Sequence, residues 1–192
     1  MKTIQLCSTA ILTIVLGLGT VHAKECEGVS FPEQMKSEGV ALKLNGLGLR
    51  QATIFNVDVY VAALYVTQPS KDANAILKSA APKELILHFV RDVGSSDLSK
   101  GWHEGFENNA KSQLPALKDR IEAFKGMMTD VKKGEVLRLT YKPGAGVRVE
   151  VNKAVKGTIK GDDFAQALFS IWLGPNPPNA GLKTGLLGGS CG

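Results

Sequence analysis

The sequence carries few of the residues that metal and redox chemistry depend on: three cysteines and three histidines in 192 residues. His88 and His103, the two histidines beyond residue 23, have no partner at a zinc-ligand spacing. No Gly-x-Ser-x-Gly, His-Glu-x-x-His, phosphate-binding loop or EF-hand loop occurs, which removes the enzyme classes those motifs announce. Gly144-Ala145-Gly146 is turn chemistry. There is no internal repeat, no low-complexity segment and no Pro/Ser linker to divide the chain. Long runs of one charge are also missing. The formal charge of +5 comes from lysines scattered among acids, without interleaved aromatics, so nucleic acid is not an expected partner.

One long apolar run is present, from Ile4 to Leu18, after the basic start Met1-Lys2-Thr3. It ends in Val21-His22-Ala23, the small-residue pattern that signal peptidase reads. A membrane span needs about 20 apolar residues, and this run is shorter and broken by Gly17, Gly19 and Thr20. Residues 1–23 are therefore expected to be a cleaved secretory signal. Residues 24–192 are then one domain, periplasmic or secreted, with no integral membrane segment after cleavage. Two cysteines survive cleavage, Cys26 and Cys191, near opposite ends of the mature chain. Disulfides persist outside the cytoplasm and termini tend to lie close together. A Cys26–Cys191 clasp is favoured over two free thiols or a bond to another chain.

Periodicity then divides the mature chain. Val40 to Leu49 alternates as a strand running into a turn. Thr53 to Val66 has strand composition, with a turn or bulge at Asn56-Val57-Asp58. Asp72 to Ala81 reads as a short helix stopped by Pro82, and Glu84 to Val90 as a strand. Leu98, Trp102, Phe106, Ala110 and Leu114 form one helical stripe, with caps offered by Ser95, Ser96 and Asp97. Pro115 permits a second helix with Leu117, Ile121, Phe124 and Met128 on its apolar side. Val136–Tyr141 and Val147–Val151 alternate as a hairpin, and Ala154 to Ile159 adds a short strand. Asp162 is placed as the cap of a last helix, Asp163 to Leu173, and the Pro-, Asn- and Gly-rich remainder is read as a tail. Strands, helices, strands and a helix in that order predict α+β, an antiparallel sheet with helices packed on one face.

Asn45-Gly46-Leu47-Gly48-Leu49-Arg50, followed by Val57-Asp58-Val59-Tyr60-Val61-Ala62-Ala63-Leu64-Tyr65-Val66, resembles the opening of the chalcone isomerase fold. Gly105-Phe106-Glu107-Asn108, Gly161-Asp162-Asp163-Phe164 and Trp172-Leu173-Gly174 resemble its later landmarks, so the likeness spans Val29 to Leu187. It is greatest to the exported bacterial branch of that family. The resemblance implies a ligand cleft between sheet and helices, with the arginine at position 50 holding an anionic oxygen. In the enzymes that oxygen belongs to the substrate, and in fatty-acid-binding relatives it is a carboxylate. Guanidinium suits either use, being always charged and presenting a planar fork.

The chain departs from the enzymes' pattern. Where they carry a tyrosine ahead of the asparagine near Asn108, this chain has Gly101. Their strand threonine falls near Tyr60, and their late threonine or serine near Ser170 or Ile171. The expectation is therefore a non-catalytic protein whose partner is an apolar small-molecule carboxylate such as a fatty acid. Arg50 anchors it, with Tyr60, Trp102, Phe106, Asn108 and Trp172 as further ligand-binding candidates. The alternatives are an intramolecular lyase (an isomerase of chalcone isomerase type) and a haem-binding protein. No cofactor is expected except, under that last alternative, haem with His103 or His88 as axial ligand.

Overall fold

A computed structural model describes residues 22–191. The expected signal segment lies outside the described residues except for His22 and Ala23. The chain opens with a hairpin of β1 (Ala23–Cys26) and β2 (Val29–Pro32). Seven strands then form one antiparallel sheet in simple sequence order. They are β3 (Gln34–Ser37), β4 (Val40–Ala52), β5 (Val57–Val66), β6 (Lys83–Phe89), β7 (Val136–Lys142), β8 (Gly146–Val151) and β9 (Ala154–Ile159). Between β5 and β6 lies α1 (Ala73–Lys78), whose first turn is capped by the Asp72 carboxylate. Between β6 and β7 run α2 (Ser95–Ala110) and α3 (Leu114–Gly126), joined by a 3-10 turn. After β9 come α4 (Asp162–Leu173) and α5 (Ala180–Leu186).

Because side chains alternate across a strand, the sheet has two cores. Tyr60, Ala62, Leu64, Leu85, Leu87, Phe89, Leu137, Leu139, Val147 and Val149 face the helices. Leu42, Leu47, Leu49, Val61, Ala63, Tyr65 and Ile86 face the other way, under the first hairpin, where Phe31 and Cys26 cover them. Tyr60 and Tyr65 thus point to opposite faces, as their five-residue separation predicts. The Tyr65 hydroxyl donates to the Pro32 carbonyl at 2.8 Å, fastening the hairpin to the sheet. A disulfide joins Cys26 to Cys191 and pins the C-terminal segment to the same hairpin.

Several expectations need correction. Asn45 to Arg50 is not a turn: β4 runs through it for 13 residues, with a bulge between Leu44 and Gly46. The bulge switches parity, so Leu42 and Leu44 share a face with Leu47 and Leu49. Buried Asn45 fills the irregularity, accepting from Ser70 N at 2.7 Å and donating to Leu186 O at 2.7 Å. The glycines that follow it serve packing: a Cβ at Gly46 or Gly48 would collide with backbone oxygens of α5. The segment read as a tail therefore contains a helix lying directly on β4. The turn read at Asn56-Val57-Asp58 falls earlier, at Thr53 to Asn56, and Val57 already begins β5. Asp162 does not cap α4. Gly161 occupies the cap position without a side-chain bond, and the Asp162 carboxylate accepts from Gly144 N at 3.2 Å.

Candidate functional site

The end of β4 and the start of β5 bring two of the singled-out residues together. Arg50 pairs directly across from Tyr60, so both side chains share the helix-facing side. Opposite them stands the first half of α2. Between lies a cleft of about 750 Å³, within the range of small-molecule sites. Val59, Val93, Leu98, Trp102, Ile171 and Pro177 supply apolar wall. Arg50, Arg91 and Lys100 supply positive charge, and Asp92, Asp97 and Glu104 negative.

Arg50 is half-buried and has no carboxylate partner among the described residues. Its Nη1 donates to the carbonyl of Gln51 and to that of Pro178 at 3.4 Å, which leaves most of its five N–H groups uncommitted. The Tyr60 hydroxyl accepts from Trp172 Nε1 at 3.0 Å, so its own proton is free for an acceptor. Burial pushes the Tyr60 phenol up to about 12, outweighing the Trp172 bond and the Arg50 charge, which both lower it. The phenol is therefore a donor at neutral pH and no base. Trp102, buried in the wall, has its indole N–H enclosed and without a partner. Buried polar groups are nearly always paired, and one left unpaired costs about 1–3 kcal/mol. Arg50, Tyr60 and Trp102 thus all line one cleft, whose wall is mixed polar and apolar.

The remaining candidates fall at the rim of the cleft or away from it. Asn108 is exposed at the cleft rim, and its backbone carbonyl accepts from Asn176 Nδ2 at 2.9 Å. Its neighbour Asn109, which no motif singles out, holds the rim in place. Its Nδ2 donates to Gly105 O at 3.1 Å and Asn176 O at 2.9 Å, and its Oδ1 accepts from Asn176 N at 2.9 Å. Phe106 and Trp172 lie one layer behind the wall. With Trp102, Phe124 and Phe164 they form a cluster of edge-to-face and tilted aromatic pairs that fills the space between helices and sheet. His103 is exposed on α2 and does not line the cleft. His88 lines a separate pocket on the opposite face of the sheet, where burial lowers its imidazole below the ordinary value. Among the described residues, no group of three or more His, Cys, Asp and Glu side chains could hold a metal ion.

Arg91 and Lys100 were missed. Each is an exposed cation with no pattern around it, and only the fold brings them to the mouth that Arg50 lines. Gly101, the position of the enzymes' tyrosine, also lines the cleft, and a Cβ there would meet nothing within 4 Å.

Sheet and helices define an α+β protein with a cleft between them. A sequence model of the chalcone isomerase-like family matches residues 23–188, and the chain belongs to that family. It is similar in structure to a fatty-acid binding protein of Arabidopsis thaliana, with a TM-score of 0.68 over 86% of this chain and 96% of that one. Identity to that protein is 15%, so the likeness is one of fold. No curated protein sequence matches the chain.

Proposed function

We propose that this protein binds an apolar carboxylate, a fatty acid or a molecule of that chemistry, in the cleft between β5 and α2. The observation that carries the reading is the set of uncommitted donors. Arg50 and Tyr60 line the cavity with N–H and O–H groups to spare, beside an apolar strip of Val59, Leu98, Trp102 and Ile171. A carboxylate offers two oxygens with about four acceptor sites, enough to take the Arg50 fork and the Tyr60 proton, while its apolar body lies along Leu98, Ile171 and Val59. The Arabidopsis neighbour's name agrees with this ligand class. Intramolecular cyclisation would call for a polar set around the substrate that position 101 does not supply. We further propose that the protein acts outside the cytoplasm after removal of residues 1–23, in keeping with the Cys26–Cys191 bond. Amino-terminal sequencing of the exported chain should begin at Lys24.

Binding is tested with palmitate and its uncharged counterpart, hexadecanol, followed by fluorescence of the two tryptophans, Trp102 and Trp172. Palmitate should bind the tighter of the two. Replacing Arg50 by Ala should weaken palmitate about 10- to 100-fold, the worth of a charged hydrogen bond, and leave hexadecanol nearly unchanged. Equal losses for both ligands, or no palmitate binding by the unaltered protein, would refute the reading.

A further inference from the structure

The turn joining β4 to β5 carries an anomaly that packing does not explain. Ile54 is 90% exposed and Phe55 81% exposed, adjacent at the tip of the hairpin. The turn's own chemistry belongs to the flanking residues. Thr53 has φ 64° and Asn56 φ 50°, Asn56 N donates to Thr53 O at 3.3 Å, and Thr53 Oγ1 accepts from Phe55 N at 3.3 Å. Nothing in that arrangement calls for large apolar side chains at 54 and 55, where turns ordinarily place small or polar ones. Single exposed apolar residues are ordinary. Two adjacent ones, the most exposed large apolar residues of the described chain, are not.

Their position gives them a use. Ala52 and Thr53, at the base of the tip, line the cleft mouth together with Arg50. Two side chains bury a few hundred Å² at most, well short of the roughly 800 Å² per partner of a stable protein interface. A bilayer imposes no such minimum, and affinity for it rises with whatever apolar area enters. Charge at the mouth is balanced, three cations against three carboxylates, so attraction to an anionic surface is not the basis of contact. We propose that Ile54 and Phe55 insert into the surface of a lipid bilayer and seat the cleft mouth against it. A fatty acid then passes between bilayer and cleft without crossing water. The identity of the transferred molecule rests on the carboxylate-binding reading above, whereas the insertion itself does not.

The experiment uses the mature chain and vesicles of dioleoylphosphatidylcholine, read by co-sedimentation at low and high salt. The unaltered protein should co-sediment at both. The double variant I54S/F55S should lose at least about tenfold in partitioning, since each side chain contributes that much when buried. V155S, which removes an exposed apolar residue on β9, should partition like the unaltered protein. Palmitate binding without vesicles should be the same in I54S/F55S, while transfer of palmitate from vesicles should slow at least about tenfold. The proposal is overturned if the unaltered protein stays in the supernatant, if I54S/F55S sediments equally well, or if high salt abolishes binding. Failure of palmitate to bind in solution would instead remove the carboxylate reading and leave sedimentation to decide the insertion.

Discussion

Two glycines of α2, one turn apart, should respond in opposite ways to the same added methyl group. A Cβ at Gly101 meets nothing within 4 Å. Its replacement by Ala should therefore give only the helix-propensity gain, about 0.5–1 kcal/mol. At Gly105 the new Cβ would lie 2.7 Å from Ile171 Cγ2 and 3.0 Å from Cγ1, where α2 crosses α4. Ile171 is buried and cannot swing clear. Forcing a methyl group into a packed site costs about 1–3 kcal/mol. Because the propensity gain is common to both variants, their difference isolates the cost of the crossing, about 1–3 kcal/mol. Urea unfolding with the disulfide intact measures both on one scale, and Gly101→Ala should raise the melting temperature by about 1–4 °C. If Gly105→Ala proves as stabilising as Gly101→Ala, then α2 does not sit against α4 as closely as described, and the cleft wall that Ile171 forms is misplaced with it.

Removing the Cys26–Cys191 bond with C26S/C191S should cost about 2–4 kcal/mol in urea, with about 5 as the chain-entropy limit for so long a loop. Palmitate binding should survive, because the bond lies with the outer core, and its loss would contradict that separation. Tyr60→Phe should strand the Trp172 indole N–H and remove one cleft donor, lowering stability by about 1–3 kcal/mol. It should also weaken palmitate relative to hexadecanol, and unchanged discrimination would exclude Tyr60 from the site. Stability should also depend on pH above neutrality, with a rise followed by a fall. Burial lowers the Lys83 ammonium from 10.5 to about 8, so between those values the unfolded chain binds more protons and stability rises with pH. Burial raises Tyr60, Tyr65 and Tyr141, the chain's only tyrosines, from 10.0 to about 12. There the folded chain holds the more protons, and stability falls from about pH 10 upward. Urea midpoints from pH 7 to 11 should show a maximum near about 10, and a monotonic fall from pH 8 would refute the account of Lys83.

The elements legible in the sequence are those whose burial is one-sided and sustained. Strands β5 to β8 and helices α2 to α4 carry long stripes of Leu, Val, Phe and Trp, and periodicity alone places them. Strands β1, β2 and β3 are four residues each, with only one buried position apiece, too little for alternation to register. Helix α5 was hidden for another reason. Its Gly185 counts against a helix locally, yet a Cβ there would strike the Leu47 carbonyl oxygen, so close approach to β4 demands it. The site divides the same way. Arg50 and Tyr60 were reachable through the family resemblance and shared parity, Trp102 through its stripe. Phe106 and Trp172 lie on the same stripes, and only depth, which periodicity does not encode, separates wall from core.

On the opposite face of the sheet, two arginines are each held by carboxylates. Arg138 Nη1 lies 2.8 Å from the buried Glu84 carboxylate and its Nε 3.7 Å from Glu150. Arg148 reaches Glu150 at 3.6 Å and Glu38 at 3.1 Å. Glu84 in turn accepts from Ser37 and, at 3.2 Å, from Thr140. Cross-strand register generates this lattice, since Ile86, Arg138 and Glu150 stand in one row and Glu84, Thr140 and Arg148 in the next. Partly buried guanidinium groups are costly without a countercharge, and here each has two. Arg50 is half-buried on the same sheet but reaches only carbonyl oxygens, while Asp92, on the same cleft, is bound to the Lys132 ammonium and the Lys133 backbone N–H. A neighbouring carboxylate at Arg50 would have stabilised the empty protein and occupied the groups an anionic ligand needs. Carboxylates line the cleft, yet among the described residues none pairs with Arg50, which fits a site whose last countercharge arrives with the ligand.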